Sequence, residues 1–183
     1  NGYSVITDLI IFDNAAYSHG GGVYSNPMNS STIPNFLDCK IINNTSQKGG
    51  GMFLNTTTII TNTIIANNSA DVSGGGLQLH NLSRNKSLFP NCTIENNSAN
   101  GQGDGVYGLL GSSISNINFM NNGVSWLNSD NSNIVDATSN YWGHPSGPYH
   151  QSQNPAGQGD SVNVYVNVNP WLTAPNTDAP PIP

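Results

Sequence analysis

The sequence predicts an all-β chain wound as a right-handed parallel β-helix of about six rungs, closed by a C-terminal cap. Three observations carry this expectation. A large apolar residue stands three positions before each of Asn14, Asn44, Asn68, Asn97 and Asn122, as Ile11, Ile41, Ile65, Ile94 and Phe119, and these marks are 30, 24, 29 and 25 residues apart. After the first four marks a glycine-rich run ends at Gly22, Gly51, Gly76 and Gly105, followed by Val23, Met52, Leu77 and Val106. Each unit holds two or three short β-prone segments between Asn, Gly or Ser turns, with no amphipathic helical stretch. Periods of this length mean a solenoid or a propeller; a propeller blade needs about 40 residues, and leucine-rich repeats show regularly spaced leucines. Units of this size fit coils of three short parallel strands, and the handedness follows the general rule for parallel crossovers.

Period-two alternation assigns the columns. The first inward column is expected to read Leu9, Cys39, Thr63, Cys92 and Ile117, and the second Ile11, Ile41, Ile65, Ile94 and Phe119. The third is expected to read Asp13, Asn43, Asn67, Asn96 and Asn121, stacked about 4.8 Å apart as an inward ladder of amides. Cys39 and Cys92 are separated by the rung of Thr63, about 9.6 Å, too far for a disulfide, so two buried free thiols are expected.

The rungs are expected to occupy residues 1–139. From Asn140 the pattern changes: residues 140–172 read as a terminal rung and cap with Trp142 and Trp171 as the lid. Residues 173–183, with four prolines, read as a linker.

Composition excludes some partners. With a net charge of −6 and only four Lys and Arg, the chain is not suited to nucleic acid or anionic membrane. No apolar run is long enough for a membrane span, and Asn1 reads as a processed start or a cut from a longer chain.

With these residues laid out, the chain resembles the right-handed parallel β-helix repeat proteins of bacterial and archaeal surfaces. Ile/Phe-x-x-Asn followed by Gly20-Gly21-Gly22-Val23 is similar to the paired motifs of the chlamydial polymorphic outer-membrane proteins; Phe119-Met120-Asn121-Asn122 matches the Phe form, and other rungs carry Ile. The ending NYWGHPSGPYHQSQNPAGQGDSVNVYVNVNPWL looks like the closing segment of many secreted β-helix proteins. The resemblance implies an extracellular or cell-surface location. It points to fold more than function, because the fold hosts adhesins and enzymes alike.

Four residues define a candidate binding column. Tyr24, Phe53, Gln78 and Tyr107 follow Val23, Met52, Leu77 and Val106 and are expected to point outward, where aromatic faces stack on sugar rings or meet a partner protein. Ile10, Phe12, Ile42 and Ile64 form a second outward strip. The catalytic alternatives are thinner. Asp8 and Asp38 share an outward column that continues as Asn62, Asn91 and Asn116, and could hold Ca²⁺ or act as acid and base. Arg84 and Lys86 follow His80 in one loop, where two cations near a histidine suit uronate chemistry. His144 and His150 have no third ligand at metal spacing in the sequence. The expectation is therefore a non-catalytic surface or secreted module, a stalk, adhesin or binding segment for polysaccharide or a surface protein. The alternative is a lyase or hydrolase of an acidic polysaccharide.

Overall fold

The computed structural model describes residues 3–26, 33–80, 87–108, 114–128 and 134–181. The described residues contain strands and no α-helix, and the strands stack in parallel as a β-solenoid of about five turns. Three stacks build the coil. Tyr3–Thr7, Ile33–Leu37 and Ile59–Thr61 form the first. Ile10–Phe12, Lys40–Ile42, Ile64–Ala66, Thr93–Glu95 and Asn118–Met120 form a five-stranded sheet. Val23–Ser25, Met52–Leu54, Leu77–Leu79, Val106–Gly108 and Val124–Asn128 form the long sheet, which Gly159–Val162 and Pro148–Tyr149 extend to seven strands. A short stack of Thr45–Lys48, Ser69–Ser73 and Ser98–Ala99 joins the last two.

The register follows the repeat. Ile11, Ile41, Ile65, Ile94 and Phe119 are paired in sequence across the five-stranded sheet. All but Ile11, which sits at the open first turn, are at most 1 % exposed. Met52, Leu77 and Val106 complete the opposite wall.

The third expected column is corrected. Asp13, Asn43, Asn67, Asn96 and Asn121 are exposed and sit in the left-handed region, with φ between 52° and 57°. They turn the chain rather than line the core, which Asn and Asp do at lower steric cost than other non-glycine residues. The amide column lies one residue later. The main-chain N and Nδ2 of Asn14 both donate to Asn44 Oδ1; Asn44 does the same to Asn68, Asn68 to Asn97, and Asn97 to Asn122, all within 2.9–3.2 Å. Asn122 donates both to Asp160 Oδ2 at 3.0 Å, so a carboxylate from the cap accepts at the end of the series. A second left-handed corner, Asp8, Asp38, Asn62, Asn91 and Asn116, precedes the five-stranded sheet.

About five turns form where about six were expected. Among the described residues beyond Asn128 there is no glycine run and no paired Asx corner like those that shaped the earlier turns. It instead adds strands to the long sheet, and Val135–Asp136 pairs with Val166–Asn167. Trp142 is fully buried and stacks on Phe119 with ring centroids 4.5 Å apart, so it closes the apolar column; Trp171 packs beside the core, partly buried.

Residues 173–181 differ from the expected linker. They lie back against the outward face of the five-stranded sheet. Asn176 N donates to Asn118 Oδ1 at 2.8 Å, and its Nδ2 reaches Asn91 Oδ1 and Asn116 O. Thr93 Oγ1 donates to Pro180 O at 2.7 Å. Asn176 supplies the N–H donors and Pro180 a carbonyl acceptor, which anchors a segment whose prolines carry no N–H of their own. The remainder of the outward strip divides: Ile10 and Phe12 are exposed, Ile42 is half-buried and Ile64 is buried.

Cys39 and Cys92 are free and each 1 % exposed. Burial pushes the Cys92 thiol up to about 12 from 9.0. A native sample is expected to leave both thiols unmodified by a soluble thiol reagent at pH 8, with both reacting after denaturation. Between pH 9.0 and about 12 the unfolded chain loses the Cys92 proton while the folded chain keeps it, so this group makes stability fall as pH rises through that window.

Candidate ligand-binding face

The site is built by a glycine corner. Gly20, Gly49, Gly74 and Gly103 have φ between 61° and 67°, and a Cβ at Gly74 would stand 2.7 Å from Gln78 Cβ. This sharp turn sets two outward columns side by side. The residue before each glycine contributes His19, Lys48, Ser73 and Gln102, paired in that order across successive turns. The residue four after contributes Tyr24, Phe53, Gln78 and Tyr107, paired in the long sheet. The face thus spans four turns, about 14 Å along the axis.

The side chains are mutually ordered. The Phe53 ring meets the His19 ring edge-on at 4.4 Å and lies 5.6 Å from Tyr24 and 5.5 Å from His80, centroid to centroid. Ser73 Oγ donates to Gln78 Oε1 at 2.8 Å, joining the two columns. The four expected residues therefore share a column but not an exposure. Tyr24 is 53 % exposed and Tyr107 half-buried, whereas Phe53 and Gln78 are 4 % exposed beneath their neighbours. Lys48, Ser73, Gln78, His80, Gln102 and Tyr107 border a cleft of about 400 Å³. Burial, then the nearby Lys48 and His80, push the His19 imidazole below its ordinary value, which favours its neutral form.

The column of His19, Lys48, Ser73 and Gln102 was not read from the sequence. Its signal is plain: each residue immediately precedes a glycine run. Counting from the Asn marks hides it, because Lys48 lies four residues after its mark and the others five. The strand register accommodates this with a shift between Ala70 and Ser73.

The other candidates are placed differently. Asp8 and Asp38 share the first left-handed corner and are exposed. Asp38 Oδ1 accepts from Asn62 Nδ2, and Asp8 Oδ2 from Thr7 Oγ1 at 3.0 Å, so turn formation already accounts for both. Among the described residues, no group of three or more His, Cys, Asp or Glu is placed to hold a metal ion. Arg84 and Lys86 lie outside the described residues. No described helix is long and apolar enough to cross a membrane.

Comparisons with protein-family models, curated proteins and solved structures find no match to this chain.

Proposed function

We propose that this β-solenoid is a non-catalytic binding module of an extracellular or cell-surface setting, and that the paired columns beside the glycine corner take a glycan chain. The carrying observation is the two-column face: Tyr24 and Tyr107 stand on its first and fourth turns with their rings partly exposed, Phe53 and Gln78 form the buried floor between them, and the exposed amide of Gln102 stands beside Tyr107. Sugars present apolar ring faces and dense hydroxyl groups, which match stacking surfaces and two-way hydrogen-bonding side chains respectively. The rigid stack holds these groups at a fixed repeat, so little conformational freedom is lost on binding. Cleavage of an acidic polysaccharide at Asp8 and Asp38 has weaker support, since those carboxylates serve a structural corner.

A glycan array tests the reading. Tyr24→Ala and Tyr107→Ala are each expected to weaken a bound glycan about ten-fold, the loss of roughly 1.4 kcal/mol of ring contact, with the thermal midpoint little changed. Undiminished affinity in the double variant removes these columns as the site. An array with no bound glycan removes the reading itself.

A further inference from the structure

We infer that the cleft selects a saccharide bearing a carboxylate, with Lys48 as the group that recognises the charge. This rests on the glycan reading above and names its ligand class. The chain has four Lys and Arg in 183 residues, yet one of them borders this cleft, half-buried between His19 and Ser73 in its column. Among the described residues the cleft is bordered by no Asp or Glu, and no carboxylate pairs with Lys48.

The surrounding charges reinforce the selectivity. His19 and His80 both flank Phe53, so the three groups able to carry positive charge converge on one patch of an otherwise acidic molecule. Burial first, then Lys48 and His80, lower His19 and favour its neutral form, so Lys48 is the standing charge of the patch. Two acids of the same turns stand outside this cleft's lining. Asp71 lines a separate cleft with Tyr17 and Gln47, and Asp104 accepts from Ala99 N at 2.7 Å and Val124 N at 2.9 Å. A net charge of −6 repels polyanions in general, so a bound acidic sugar must be drawn to this patch. Its carboxylate would meet the Lys48 ammonium at the cleft rim, with the ring face on Tyr107 and hydroxyl groups within reach of Gln102.

The test compares an oligogalacturonate hexamer with its fully methyl-esterified form by titration calorimetry, in the full chain and in Lys48→Gln, Lys40→Gln and Tyr107→Ala. Lys40 is the control cation, on the five-stranded sheet away from the cleft. The acid form is expected to bind about ten-fold more tightly than the ester. Lys48→Gln is expected to bring the acid down to the ester's affinity and leave the ester unchanged, while Lys40→Gln changes neither. Equal binding of acid and ester, both weakened by Tyr107→Ala, would overturn the charge selectivity and keep the glycan site. Loss of acid binding in Lys40→Gln as large as in Lys48→Gln would overturn the assignment to this cleft. Binding of neither form overturns the charge selectivity, and the glycan array alone then decides whether the glycan reading stands.

Discussion

Gly75→Ala is expected to be among the most damaging single methyl groups that can be added to this chain, lowering stability on the order of 3–5 kcal/mol or preventing folding. A Cβ at Gly75 would stand closer than 3.0 Å to the carbonyl oxygens of both Ser98 and Asp104, in the next turn. Neither oxygen can retreat cheaply. Gly75 N donates to Gly103 O at 3.1 Å and Gly76 N to Asp104 O at 2.9 Å, so separating the turns breaks the bonds that define the stack. Gly22→Ala supplies an internal comparison. Its nearest contacts would be Gly51 O at 2.9 Å and the Asn44 side chain at 3.0 Å, so the neighbours need give far less than at Gly75. Urea denaturation is expected to show a far larger fall in midpoint for Gly75→Ala than for Gly22→Ala. Equal effects would mean that the glycine runs serve conformational freedom and not the spacing of the turns.

Two adjacent asparagines are expected to respond very differently to the same replacement. Asn68→Gly should cost on the order of 2–4 kcal/mol. Asn67→Gly should be close to neutral. Asn68 is 1 % exposed; its Oδ1 accepts two bonds from Asn44, and its Nδ2 reaches Ile41 O at 2.9 Å and Asn97 Oδ1 at 3.0 Å. Removing that amide strands the buried main-chain N–H of Asn44, whose other neighbours are core. Asn67 is exposed at φ 55°, where glycine is at least as comfortable as asparagine. Denaturant midpoints for the two variants test the assignment directly. A larger loss for Asn67→Gly would return the amide column to the corner residues.

These two cases also mark how far the chain could be read before its structure. The isoleucine column, the glycine runs and the parallel coil were legible, because each depends on residue type at a nearly constant spacing. The amide column was displaced by one residue for a physical reason. Alternation by two was carried straight through Asn67, but a left-handed residue reverses the expected side, so Asn67 points out and Asn68 points in. The same effect governs the other corner, where Asp8 and Asp38 resembled a carboxylate pair and act as turn residues. At the candidate face, the column of Tyr24, Phe53, Gln78 and Tyr107 is legible in the sequence, but its cover is not. Phe53 is buried by His19 and His80, which come from neighbouring turns.

The sequence by itself determined the repeat, the core column and the stack of parallel strands, since periodic burial of apolar side chains leaves few other ways to fold. Only the tertiary structure decided which Asn of each pair enters the core, where residues 173–181 lie, and that Lys48 stands beside Gln78 and Tyr107. Those outcomes depend on the backbone turning through left-handed corners and on contacts between successive turns. Neither is written in the local alternation of side chains.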